Sequence, residues 1–296
     1  MWKCKVNNIK DCLIDKKWIH KLELVWNSWQ SAIFAADTLA RLEPHKNLKY
    51  LVVYRYSGIK FPTWVSDASF SNLETIRLDA CINCEFLPPI GQLPSLKSLH
   101  IDGPMQQLHQ IDSEFCGKRM GKMKSFPSLR TLHLQSLSYL ETWSGLEKGD
   151  MPLLQKLNIC SCGKLISLPT LRFLVSLQEL HIQSCRKLQK LPDKRLPRSV
   201  SSLIIVDCPV LLESCKKKWG WSKIIKEVPS SDRFVYHLDL VCTCAEYNFS
   251  DSVELWKSRC SRSESYKDKE RSFILGVKER ETEFSFESGG TLTLQH

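Results

Sequence analysis

The sequence predicts an α/β solenoid, a horseshoe with a parallel sheet along its concave side and a mostly irregular or 3₁₀ convex side. Three observations carry the prediction. A leucine pattern of near-constant register recurs along the first two thirds of the chain. Apolar-Pro elements follow several of its copies. The composition of the 296 residues, 43% hydrophobic and 25% charged, is that of a chain able to bury a core.

The pattern is Leu-x-x-Leu-x-Leu-x-x-(Asn/Cys). Its clearest copies begin at Leu73, Leu154, Leu177 and Val200 and end in Cys81, Cys162, Cys185 and Cys208. Four more begin at Ile19, Leu48, Leu96 and Leu129, so successive copies are 29, 25, 23, 33, 25, 23 and 23 residues apart. That spacing lies mostly within the band of leucine-rich repeats. Each Leu-x-Leu is read as a short strand whose two leucines face inward and whose intervening residue faces outward. One repeat cannot cover its own leucines, but stacked repeats bury them in a continuous ladder. The ninth residue stands where the chain leaves the strand, and a buried thiol fills that space as a small hydrophobe.

The remaining elements follow in chain order. In the 29-residue interval, Ala32–Arg41 is helix-compatible and ends before Pro44. Phe61-Pro62, Leu87-Pro88-Pro89, Leu168-Pro169 and Leu191-Pro192 predict an extended or 3₁₀ return limb, because proline fixes φ and removes a donor. In the 33-residue interval, the basic, glycine-containing stretch 117–124 reads as an exposed loop. A C-terminal cap is expected near 216–228, with Trp219, Trp221, Ile224 and Ile225 covering the last repeat. The domain division is therefore 1–228, the solenoid of about eight repeats, and 229–296, a divergent tail of low order in which Val235–Val241 and Phe273–Val277 are strand-compatible.

Composition and motifs narrow the chemistry. Thirteen cysteines in 296 residues fall short of a disulfide scaffold, and the opening residues have no apolar leader segment, so reduced thiols in a cytoplasmic or nuclear compartment are expected. Cys81-x-x-Cys84, Cys160-x-Cys162 and Cys242-x-Cys244 are each half of a zinc site at most, and no metal or other cofactor is expected. The Gly-Lys pairs at 117, 121 and 163 are followed by Arg, Met and Leu, so none is a phosphate loop. No catalytic motif is present, and an enzyme is not expected. Positive charge concentrates on residues 1–228, with 33 basic against 20 acidic residues, while the tail has 9 against 12. Lys216-Lys217-Lys218 lacks the interleaved aromatics of a nucleic-acid platform, so no nucleic-acid partner is expected, and no apolar run is long enough to span a membrane.

Several strings go beyond leucine spacing: residues 15–26, Leu42-Glu43-Pro44-His45-Lys46-Asn47-Leu48, residues 56–64, residues 87–96, Ser113-Glu114-Phe115-Cys116-Gly117, Phe126-Pro127-Ser128-Leu129 and residues 215–224. Together they resemble the leucine-rich-repeat region of plant nucleotide-binding disease-resistance proteins, of the coiled-coil class and RPP13-like type. The resemblance covers roughly residues 12–228. It implies a sensing or autoinhibitory repeat region of an immune receptor, whose protein partner is a pathogen effector, a guarded host protein or the receptor's own nucleotide-binding domain. A repeat scaffold of another intracellular assembly, and a non-functional remnant of a resistance gene, stay open beside it.

The expected contact surface is the concave face. Between the two core positions of each repeat stand Glu23, Val52, Arg77, His100, His133, Asn158, His181 and Ile204, and two residues further on Val25, Tyr54, Asp79, Asp102, Gln135, Cys160, Gln183 and Val206. The candidate protein-binding residues are Trp26, Val52, Tyr54, Arg77, Asp79, His100, Asp102, His133, Gln135, Asn158, His181 and Gln183. His100 and His133 are expected about 5 Å apart on adjacent strands. With Asp79 and Asp102 nearby, the pair is expected to titrate near neutral pH.

Overall fold

The computed structural model describes residues 13–26, 31–117, 124–192, 196–219, 226–230, 233–239, 282–285 and 290–295. Eight parallel strands form its centre: β1 (Lys21–Trp26), β2 (Tyr50–Tyr54), β3 (Thr75–Asp79), β4 (Ser98–Asp102), β6 (Thr131–Gln135), β8 (Lys156–Cys160), β9 (Glu179–Gln183) and β10 (Ser202–Val206). They lie side by side in chain order. The repeat register survives at every step, Leu22 facing Leu51, Leu51 facing Ile76, and so on to Leu180 facing Leu203. The three apolar positions of all eight repeats, from Ile19, Leu22 and Leu24 to Val200, Leu203 and Ile205, are each at most 3% exposed. The ladder is therefore the core, and the hydrophobic effect that no single repeat can satisfy holds the stack together.

The chain leaves each strand through one recurrent turn. The residue after the strand has positive φ in seven repeats: Arg55, Ala80, Gly103, Ser136, Ser161, Ser184 and Asp207. This reversal aims its N–H sideways. Arg55 donates to Asp79 O at 2.8 Å, Ala80 to Asp102 O at 2.9 Å, Ser136 to Cys160 O at 2.9 Å and Ser161 to Gln183 O at 2.8 Å. The ladder thus gains one rung beyond the strand. The very next residue in sequence turns its side chain inward, and there Cys81, Cys162, Cys185 and Cys208 are wholly buried. Their thiols donate back to Asp79 O, Cys160 O, Gln183 O and Val206 O at 3.8, 3.5, 3.4 and 3.2 Å.

Helix α1 (Ala32–Arg41) fills the first long interval as predicted, with Ser31 Oγ accepting from Phe34 N–H at 3.2 Å at its N-cap. The return limb includes 3₁₀ turns at Thr63–Ser66, Ile90–Gln92 and Leu171–Phe173, the first two opening directly after Pro62 and Pro89. A second small parallel sheet, β5 (Gln110–Ile111) with β7 (Thr142–Trp143), runs along the return side and buries Ile111 and Trp143. The 33-residue interval does not part its neighbours, since β4 pairs directly with β6. Of the loop predicted there, residues 118–123 lie outside the described residues.

The two ends depart from expectation. Helix α2 (Pro209–Trp219) begins at a proline, whose missing N–H costs nothing in a first turn, and buries Leu211, Leu212 and Cys215 against the last repeat. Covering of the last repeat thus starts upstream of the predicted segment, while Trp221, Ile224 and Ile225 lie outside the described residues. The tail supplies strands to both sheet edges. Beyond β10 lies the antiparallel pair β11 (Lys226–Ser230) and β12 (Arg233–Asp239), with Leu203 opposite Leu238. Beyond β1 lies the pair β13 (Thr282–Ser285) and β14 (Gly290–Gln295), with Leu22 and Leu24 opposite Leu294 and Leu292. β12 overlaps the strand expected at Val235–Val241, and Phe273–Val277 lies outside the described residues.

Candidate functional site

The pleat of the eight parallel strands puts three columns on the face turned away from the core, the face that solenoid curvature makes concave. The second and third columns are those read from the sequence, and the pairing keeps each in line. The first column, Lys21, Tyr50, Thr75, Ser98, Thr131, Lys156, Glu179 and Ser202, was not among the candidates. Period two alone could have found it, by stepping two residues back from the second column.

One candidate was misplaced. Trp26 is 3% exposed and packs edge-on against Tyr56, with ring centroids 5.1 Å apart. It lies an even number of residues after Leu22 and Leu24, so the strand's alternation sends it to the core with them. The other eleven candidates stand on the outward face: Val52 and Tyr54 on β2, Arg77 and Asp79 on β3, His100 and Asp102 on β4, His133 and Gln135 on β6, Asn158 on β8, and His181 and Gln183 on β9. Most are half-buried by their neighbours, while Gln135 is exposed.

The centre of the face is an ordered polar cluster. Arg77 Nη2 lies 2.9 Å from Asp79 Oδ2 and 3.5 Å from Asp102 Oδ2, and its guanidinium carbon lies 5.7 Å from the Tyr54 ring centroid. Asp102 Oδ1 accepts the Gly103 N–H at 2.7 Å. On the other side, His100 and His133 stack almost parallel, with centroids 4.4 Å apart and an interplanar angle of 8°. His100 Nε2 lies 2.9 Å from Ser98 Oγ, and His133 Nδ1 lies 3.0 Å from Asn158 Nδ2. The adjacency expected of the two histidines is therefore present.

Their titration is not what the nearby carboxylates suggested. Burial, followed by the charges of His100, Arg77, His181 and Lys156, holds His133 down to about 4, and burial with the Arg77 charge lowers His100. The reason is in the cluster: Asp79 and Asp102 are spent on Arg77, so the imidazoles feel the guanidinium more than the carboxylates. At neutral pH both rings are uncharged. The thiols behind the face are likewise quiet. Neighbouring Cys162 and burial push Cys185 up to about 12, and neighbouring thiols and burial raise Cys208 and Cys84. Such groups fill space and are poor nucleophiles. Cys242 and Cys244 lie outside the described residues.

Among the described residues no helix is long and apolar enough to cross a membrane. Residues 3–105 match the family model of R13L1/DRL21 leucine-rich repeats, and residues 60–186 match that of the leucine-rich repeats of plant RPS2-like disease resistance proteins. The putative disease resistance RPP13-like protein 1 of Arabidopsis thaliana is 37% identical over 183 residues, 56% of this chain and 17% of that protein. The putative disease resistance protein RGA4 of Solanum bulbocastanum is 34% identical over 136 residues, 45% of this chain and 14% of that protein. The chain thus spans less than a fifth of the length of these curated relatives. Among solved structures, the leucine-rich repeat domain of the type III effector XopL aligns at 20% identity and a TM-score of 0.37, covering 60% of this chain and 65% of that one.

Proposed function

The chain carries a leucine-rich-repeat region of the plant disease-resistance type, and from that membership we propose that it is a protein-interaction region acting in defence, with no catalysis of its own. Its partner is a pathogen protein, a host protein under surveillance, or the nucleotide-binding domain of a longer form of the same receptor. The docking surface is the outward face from Tyr54 to Gln183. The observation that carries the reading is the central cluster, where eight polar or aromatic side chains of five different strands hold one another in place on the outward face. Preorganised polar groups of this kind lower the ordering cost of association.

The test is co-precipitation from plant tissue with the full chain and a His133→Lys/Asn158→Lys variant, both shown to be folded by circular dichroism. Proteins held by the parent and lost by the variant support the reading. An unchanged set, or stoichiometric binding of a nucleotide by the purified chain, overturns it.

A further inference from the structure

The second outward column places three imidazoles on four successive strands, His100 on β4, His133 on β6 and His181 on β9, with Asn158 of β8 before the last. Its hydrogen bonding is lopsided. Asn158 Nδ2 lies 3.0 Å from His133 Nδ1. An amide nitrogen only donates, so Nδ1 accepts and the proton of the neutral ring resides on Nε2. Nε2 lies 3.4 Å from the same amide nitrogen, which cannot accept its proton, and the described residues offer that N–H no acceptor. The half-buried His181 ring makes no side-chain hydrogen bond among them either.

The charges around His133 lean the same way. Burial opposes its protonation most, followed by His100, Arg77, His181 and Lys156. Every carboxylate nearby is engaged. Asp79 and Asp102 hold Arg77, Asp102 also accepts the Gly103 N–H, and Glu179 lies 2.9 Å from Lys156 Nζ. The column therefore has imidazole N–H donors without acceptors, because the carboxylates beside it are already held by Arg77, Lys156 and the Gly103 N–H. The surrounding repeat region, with its excess of basic residues, reinforces the attraction for an anion at longer range.

We propose that the imidazole column is the seat of a carboxylate-bearing segment of the protein partner, taking the His133 Nε2–H and the unengaged His181 ring as its hydrogen-bond donors. This rests on the outward face being the docking surface. A carboxylate placed there favours the charged imidazoles, so docking takes up protons and tightens as pH falls from neutral. A basic segment would instead compete with Arg77 for Asp79 and Asp102 and would be indifferent to pH in that range.

The test uses the full chain, labelled with ¹³C at histidine Cε1, with octaglutamate and octalysine as probes at physiological salt. Octaglutamate is expected to move the His133 and His181 signals and to raise the His133 midpoint by at least about one unit, which corresponds to roughly tenfold tighter binding once the ring is charged. A His133→Gln/His181→Gln variant is expected to lose the pH dependence. Octaglutamate bound with those signals unmoved, as at basic residues elsewhere, overturns the proposal, and so does pH dependence that survives in the variant. If octalysine alone perturbs the face, the carboxylate seat is overturned while the docking surface stands. Failure of the docking surface itself is read separately, in the co-precipitation.

Discussion

A histidine held near 4 in the folded chain and near 6.5 when unfolded is a liability that depends on pH. Its depressed value means that the folded state binds fewer protons than the unfolded one between those limits. The stability it leaves intact is fully present above pH 6.5 and falls as pH drops toward 4. His133→Gln is therefore expected to flatten the loss of urea stability between neutral and mildly acidic pH, and an unchanged slope would show that other groups control it. Backbone conformation at single positions is equally consequential. Gly103 has φ +87°, and an added Cβ would stand 2.7 Å from Ala80 N. Gly103→Ala is expected to destabilise by more than about 1 kcal/mol, whereas Ser161→Gly at the matching turn should stabilise by up to about 1 kcal/mol. Chemical denaturation of both variants checks the pair, and equal effects would refute the role given to the turn. Only Gly103 advertised this turn in the sequence. Arg55, Ala80, Ser136, Ser161 and Ser184 are not residues that favour positive φ, and at each a hydrogen bond from its N–H to the next repeat holds it there.

Among the elements, the strands were the most legible, because a period of two combined with a fixed repeat leaves no freedom of register. The same parity rule was broken once, at Trp26, where size and aromaticity suggested a contact residue although the alternation already placed it inside. The candidate face was legible as columns, but the outcome of its electrostatics was not: spacing shows which groups are neighbours, and only the structure shows that Arg77 claims both aspartates. The turns that follow the strands make a prediction of their own. Cys81, Cys84, Cys162, Cys185 and Cys208 are wholly buried, whereas Cys160 is only half-buried on the outward face. Alkylation of the native chain, followed by mass spectrometry, is expected to label Cys160 ahead of these five, which react only on unfolding. Early labelling of Cys185 would mean that its repeat opens far more readily than its packing implies.

At the scale of the whole molecule, the eight-strand ladder by itself would have two open edges, and an uncovered sheet edge is a template for pairing with another chain. The sequence pointed to a cap at one end only. The short Thr291-Leu292-Thr293-Leu294 alternation near the C-terminus is too brief to stand out, although it pairs in register with the first repeat. Ending the chain after residue 281 is expected to produce self-association, read as a higher apparent mass in size-exclusion chromatography and a lower melting temperature. A truncated chain that stays monomeric at the same concentration would show that β1 needs no such cover. β12 and β14 sit nine strand spacings apart, about 43 Å along the sheet, and residues 240–289, with β13 among them, join them along the chain. The first and last repeats, which no ladder contact connects, are thereby answerable to one stretch of polypeptide. A protease that nicks that stretch would leave every leucine in place yet loosen the beginning of the molecule by cutting near its finish, and amide exchange in Lys21–Trp26 is where the damage would first register.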